Sequence, residues 1–267
     1  MSQLESLRAM VGARPPAVHR AVPHAVVVAG GKGGVGVSTT CALIAMGAAA
    51  AGHDTLLVDA SPGGTLADVM ALPTQARDDG TVGSPVYRRV ARRVTIVDLI
   101  DPAALTAAER RTALRRIAAR YDNHEFVVID AGSTSESVVA ALTTGAGRLL
   151  CIGTTDRLSV VATYALVKYV RQRFAGLPIS VLFNRCDPTE GTEAFGRVAA
   201  GVEEFLGATV TPAGSLPDDQ TLRAAAEAGT SPEHANGPAV LAARLLAELL
   251  TARPARRGGT PVHVLQP

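Results

Sequence analysis

Short runs of apolar, largely β-branched residues alternate along the chain with longer stretches whose apolar positions recur at helical spacing. From Ala25 the run AVVVAG predicts a strand; a glycine-rich loop follows, and then an Ala-rich stretch predicts a helix from about Thr39 to Ala51. Further strands are expected at TLLVDAS after Gly52, at VTIVDLI beyond a polar segment around Asp78 to Gly83, and at FVVIDAG, LLCIGTT and PISVLFN. Helices are expected near Glu136 to Thr143 and over VVATYALVKYVRQRF. After Gly214 come a proline turn, the helical piece DQTLRAAAEAG, a loop around Pro232 to Pro238 and a last helix to about Thr251. Uniformly apolar strands alternating with helices predict an α/β fold: a mostly parallel twisted sheet flanked by helices in three layers.

The ends of the chain read differently. Residues 1–10 predict a short amphipathic helix with Leu4, Leu7 and Met10 on one face, broken by Gly12, Pro15 and Pro16. The expected organisation is an arm over 1–22, an α/β domain over 23–252 and an Arg/Gly/Pro tail over 253–267. The last helix, PAVLAARLLAELLTA, carries only Arg244 and Glu248 as charges, spaced for an i, i+4 ion pair. Most of its circumference is apolar, so it either fills core or meets a membrane surface, with Arg253, Arg256 and Arg257 following in the tail.

Composition narrows the classes. A hydrophobic fraction of 47% supplies a sizeable core, which excludes a globally disordered chain. A net charge of +2 creates no field that would draw nucleic acid, and no specific nucleic-acid contact is expected. Cys41, Cys151 and Cys186 are far apart, with no CxxC pair and no metal-ligand spacing; they are expected to be buried thiols in a reduced cytoplasm. No apolar run reaches the roughly 18 residues of a membrane span, and the N-terminus lacks the apolar core of a signal peptide.

The chemistry concentrates after the first strand, in GGKGGVGVSTT. Gly31, four residues, Gly36, one residue and the hydroxyl of Ser38 match a phosphate-binding loop. Where that pattern puts the lysine that reaches the β- and γ-phosphates stands Val37, which offers neither charge nor hydrogen bond. Gly33, Gly34 and Gly36 still permit a nest of backbone N–H groups at a helix N-terminus, Ser38 can ligate magnesium, and a lysine stands inside the loop at Lys32. Gly31, Gly33 and Gly36 also satisfy GxGxxG, with Asp59 closing the next strand about 20 residues on, where a ribose-binding acid belongs. Local motif alone therefore leaves a Rossmann-type NAD(P)-binding oxidoreductase open.

The string KGGVG, with its lysine ahead of the glycines, resembles the deviant Walker A motif of the MinD/ParA family of P-loop ATPases, which includes the flagellar number regulators FlhG/FleN. LLVDAS resembles the family's switch I, FVVIDAG its Walker B strand and switch II, and SVVATYALVK, FNRCD, EEFLG and SLPDDQTLRAAAEAG follow the FlhG order through nearly the whole chain. The resemblance implies an ATP- and Mg²⁺-dependent homodimer in which Lys32 reaches the partner's phosphates. It implies nucleotide contacts from Gly31, Lys32, Gly33, Gly34, Val35, Gly36, Val37, Ser38 and Thr39, an adenine contact from Asn184, and a magnesium site from Ser38, Asp59 and Asp130. Lys32, Asp59 and Asp130 would be the catalytic set, with Gly132 free to swing toward the γ-phosphate. Val37 and Ser61 depart from the family, the latter replacing the second switch I acid, so hydrolysis is expected to be slow or absent.

At the N-terminus SQLESLR resembles the DQAxxLR element that acts on an FlhF-like GTPase; Gln3, Leu7 and Arg8 match it, Ser2 and Leu4 do not. The terminal helix, by the same resemblance, implies peripheral contact with the inner face of the cell membrane. The expected function is an ATP-binding switch that regulates flagellar number or placement, or positions another cell-surface assembly. A nucleotide-independent scaffold of a secretion, pilus or cellulose system is the alternative.

Overall fold

A computed structural model describes residues 22–72 and 81–252. The arm with Gln3, Leu7 and Arg8, the segment containing Asp78, and the tail with Arg253, Arg256 and Arg257 lie outside the described residues. The strands are β1 (Val22–Gly30), β2 (Thr55–Asp59), β3 (Pro85–Ala91), β4 (Val94–Leu99), β5 (Phe126–Asp130), β6 (Ala146–Gly153), β7 (Ile179–Asn184) and β8 (Thr211–Leu216). The helices are α1 (Val37–Ala50), α2 (Leu66–Val69), α3 (Ala107–Ala118), α4 (Ser135–Leu142), α5 (Arg157–Arg171), α6 (Pro188–Leu206), α7 (Gln220–Glu227) and α8 (Pro238–Thr251).

The strands form one sheet in the order β3-β4-β2-β5-β1-β6-β7-β8, antiparallel only between β3 and β4. Its central strands read as unbroken apolar runs because both faces are covered. On β1, Ala25, Val27 and Ala29 enter one core with α3 to α6, while Val26 and Val28 enter a second core with α1 and α8. All three cysteines are buried and free. No helix among the described residues is long and apolar enough to cross a membrane.

Besides the single-turn α2, four elements emerge that the apolar pattern does not announce. β3 is an arginine-bearing edge strand that is nowhere fully buried, and β8 carries Pro212 and Gly214, tolerated because it pairs on one side only. The helices α3 and α6 are polar enough to hide their periodicity; each is fixed at its start by a capping box, Thr106 with Glu109 and Asp187 with Glu190. The chain leading into the proline turn expected after Gly214 is itself a strand, ending at Leu216, and β1 begins three residues before Ala25.

α8 lies along α1, where Gly47 allows the close approach: a Cβ there would stand 3.0 Å from the Ala247 Cβ and 3.1 Å from the Arg244 Cα. Ala239, Val240, Ala243, Leu246, Ala247 and Leu250 fill core, whereas Leu241, Leu245 and Leu249 are exposed on the outer face. The i, i+4 ion pair expected between Arg244 and Glu248 does not form. A solvated pair of this kind contributes only a few tenths of a kcal/mol, about 0.3–0.5, too little to immobilise two long side chains.

Candidate functional site

The phosphate-loop segment occupies the crevice at the carboxyl end of β1, the strand from which the chain first moves toward β2 and later, through β6, toward the opposite edge. Such a reversal point is where an open α/β sheet leaves room for a ligand. β5 stands between β1 and β2, so the order differs from the Rossmann arrangement, in which the first two strands are neighbours.

The loop is held tightly. Gly31 passes so close to α5 that a Cβ would overlap the Ala162 carbonyl, which fixes where the loop begins. Gly36 caps α1 at φ 92°, a left-handed conformation that disfavours residues with a Cβ, and the Asn184 amide fills the space beside it. Asn184 Nδ2 donates to the Val35 carbonyl at 2.9 Å, and its Oδ1 accepts from the Arg185 N–H at 3.0 Å. The side chain expected to read a base thus also braces the loop.

Lys32, Gly33, Gly34, Gly36, Val37, Ser38 and Thr39 line a cleft of about 480 Å³ with Ser61, Gly132, Ser133 and Thr134 opposite. A second cavity of about 390 Å³ adjoins it through Gly36, Thr39 and Arg185, and is walled by Asn184, Leu216, Pro217, Asp218 and Leu222. Gly31 and Val35 support the loop from behind; Val35 is buried, and the Val37 side chain is folded mostly into the core beneath α1. Lys32 is half-exposed and reaches Asp156 Oδ1 at 3.5 Å, a long and solvated contact. Asp156 is itself held below the usual carboxylate range, first by the Thr154 hydroxyl and the Ser159 amide and only secondarily by Lys32.

Under the cleft lie two buried carboxylates. Asp59 and Asp130 end the paired parallel strands β2 and β5 in register with one another. Asp59 Oδ1 accepts from the Ser61 N–H at 3.0 Å and the Ser61 hydroxyl at 2.6 Å, and Oδ2 accepts from the Leu66 N–H at 2.9 Å. Burial and then the charge of Asp130 push Asp59 up to about 6 despite those three bonds. Burial also raises Asp130, opposed by the Ser38 hydroxyl and the Gly132 N–H. Asp130 Oδ1 accepts from Gly132 N at 2.8 Å; the Ser38 hydroxyl lies near enough to favour the ionised carboxylate but is paired with Thr65 Oγ1, so Oδ2 is buried without a formed hydrogen bond.

An orphaned carboxylate oxygen beside a second buried carboxylate fits a divalent cation, which would satisfy the acceptor and neutralise the pair. Among the described residues no cluster of three acidic, histidine or cysteine ligands exists, so protein atoms can fill only part of a magnesium shell. That is the usual case where phosphates and water supply the remainder. Ser38 stands at the same place, its hydroxyl 2.7 Å from Thr65 Oγ1.

The family model described as the CobQ/CobB/MinD/ParA nucleotide binding domain matches residues 26–232, which contain the whole of this site. The chain belongs to that family. Within it, the antiactivator FleN of Pseudomonas aeruginosa is 25% identical over 216 residues, 76% of each chain. The MinD of the Aquifex aeolicus MinC:MinD cell division complex superposes with a TM-score of 0.64 at 20% identity, over 88% of this chain and all of that one. MinD of Pyrococcus horikoshii, solved with Mg-ADP, gives a TM-score of 0.63 at 16% identity, over 86% of this chain and 99% of that one. These structural likenesses carry the three-layer MinD/ParA fold.

Three site residues escaped the reading of the sequence. Thr65 and Asp156 carry no motif signal, because they reach Ser38 and Lys32 only through the fold. Arg185 did leave a signal, a lone cation directly after Asn184 in FNRCD; it adopts a left-handed φ of 58° and lines both cavities.

The carboxylate pair has a pH signature. An acid whose pKa is raised in the folded state binds more protons there than unfolded, so its cost is absent well below 3.8, grows as pH rises to about 6 and is constant above that. Asp130→Asn in the presence of chelator is therefore expected to be more stable than wild type at pH 7.5 by about 1–3 kcal/mol, with the gain shrinking toward pH 5. Thermal melts of both proteins across that range check this; a gain independent of pH would count against the charge-pair account.

Proposed function

We propose that this protein is an ATP-gated switch of the MinD/ParA type with weak or absent hydrolysis, in which nucleotide spans the two adjoining cavities with its phosphates at Lys32–Thr39 and its base beside Asn184. The observation that carries the reading is the buried pair Asp59 and Asp130, with its orphaned oxygen, beneath a glycine loop at a helix N-terminus. Bound Mg²⁺ would supply positive charge to the pair and to the phosphates. The chain's own contributions follow from its geometry. Loop amides and the α1 N-terminus bind anionic oxygens, and the Ser38 hydroxyl joins the metal shell by turning from Thr65.

Val37 provides no cation, and Arg185 takes over part of that task. Its guanidinium forms no side-chain hydrogen bond or ion pair among the described residues, and the residue lines both cavities. Lys32, weakly tied to an exposed Asp156, is free to be lent to a second copy, which favours an ATP-dependent homodimer. Hydrolysis suffers twice. A main stabiliser of γ-phosphate charge is missing at Val37, and the Ser61 hydroxyl donates to Asp59 instead of presenting a carboxylate to an attacking water. Gly132, whose N–H is held by Asp130 and whose carbonyl accepts from Gly30, would release these bonds to signal occupancy.

Similarity to FleN makes control of flagellar number or placement the favoured cellular role. The Gln3, Leu7 and Arg8 element would address an FlhF-like GTPase, and the exposed Leu241, Leu245 and Leu249 of α8 would mediate peripheral membrane contact. A nucleotide-independent scaffold is the second reading, favoured by the burial of Val37 where the phosphate-gripping lysine is expected.

Titration with a fluorescent ATP analogue tests the site. Val37→Lys is expected to tighten binding and Arg185→Ala to weaken it, each by about tenfold, or about 1.4 kcal/mol. Unchanged affinity in both variants would leave the scaffold reading. In cells, deletion of the gene is expected to alter the number or position of flagella; normal flagellation would remove that role while leaving the switch intact.

A further inference from the structure

We infer that a second anion site, for a phosphate-bearing amphiphile, lies at the far end of α1 from the nucleotide cleft, in a groove between α1, α8 and the β3–β4 turn. The groove has a volume of about 480 Å³, within the range of small-ligand pockets. Arg92, Arg93 and Arg244 stand on its walls, over an apolar floor that includes Leu43, Met46 and Val240. No acidic residue lines it. The neighbouring acids are already engaged: Asp54 with His124 at 2.9 Å and Arg89 at 3.8 Å, and Asp98 with Arg88 at 2.5 Å.

None of the three guanidinium groups has a hydrogen-bond or ion-pair partner among the described residues, and Glu248 leaves Arg244 unpaired. The carbonyl end of α1 faces the same groove, but a helix C-terminus offers only about half a negative charge against three positive ones. A net positive groove therefore remains. Guanidinium groups are suited to the paired oxygens of a phosphate, and the floor suits an alkyl or glyceryl portion.

Local turn chemistry does not account for the two arginines in the hairpin. A two-residue connection between antiparallel strands favours Asn or Gly with positive φ, yet Arg92 and Arg93 occupy it, neither in the left-handed region. A register shift between Arg89 and Ala91 and a bond from the Arg89 guanidinium to the Arg92 carbonyl accommodate them. The turn thus holds two adjacent cations against the single cation of α8 at a place where neither strand pairing nor packing calls for charge.

The phosphate can come from a bilayer lipid or from a free phosphorylated molecule, and two probes separate the sources. Hexyl phosphate is titrated by calorimetry, and co-sedimentation is measured with phosphatidylglycerol vesicles against phosphatidylcholine vesicles, using the full chain. Wild type is compared with Arg93→Gln/Arg244→Gln and with Arg93→Lys/Arg244→Lys, all exposed positions; phosphate uptake by the nucleotide cleft is common to all three and cancels. The expected result is at least a tenfold loss of affinity in the glutamine variant and a smaller loss in the lysine variant, for one probe or both. Loss with hexyl phosphate alone identifies a soluble ligand, and loss with the anionic vesicles identifies a lipid headgroup. Equal binding by wild type and the glutamine variant, or no binding of either probe by wild type, overturns the site.

Discussion

Two like charges side by side in a protein interior organise this molecule's site. Asp59 and Asp130 end adjacent parallel strands in register, so the sheet itself forces their carboxylates together, and burial denies them water. The protein answers Asp59 with three hydrogen bonds but leaves one oxygen of Asp130 without a partner. Unneutralised, that arrangement raises both acids; a cation at the cleft floor relieves it. On the proposed function, the need for a cation and the glycine loop above it are two halves of one design, which a metal-bound polyphosphate would satisfy together.

The same geometry explains how the site reaches the rest of the fold. Asp219, at the base-side cavity, accepts bonds from the Thr221 and Leu222 amides and from Ala239 N in the first turn of α8. Gly237 passes so close that any Cβ would overlap this carboxylate. The start of α8, the helix with the exposed leucines, is therefore built on the wall of the cavity proposed for the base. On the other side Gly132 links the carboxylate pair to Gly30 and thus to the loop.

Much of this was legible in the sequence, for identifiable reasons. β1, β2, β5, β6 and β7 are buried on both faces, so their apolar runs stand out, and the glycine loop is a contiguous motif with a strand before it and a helix after. β3, β8, α3 and α6 were not visible, because edge position and capping, not hydrophobic periodicity, specify them. The contacts of Thr65 and Asp156 join residues far apart in the chain, which no local spacing reveals, whereas Arg185 stands next to Asn184 in FNRCD. The choice between phosphate loop and dinucleotide fingerprint was level in the glycines alone; the strand order, with β5 between β1 and β2, separates them.

The proposed switch must bind nucleotide despite Val37. Its most direct test is calorimetric titration of the purified chain with Mg-ATP, Mg-ADP and NADH, with molar mass followed by light scattering in each sample. A switch of this type binds both adenine nucleotides, doubles in mass with Mg-ATP alone and is silent with NADH. A chain that binds none of them, or whose mass ignores Mg-ATP, would contradict it.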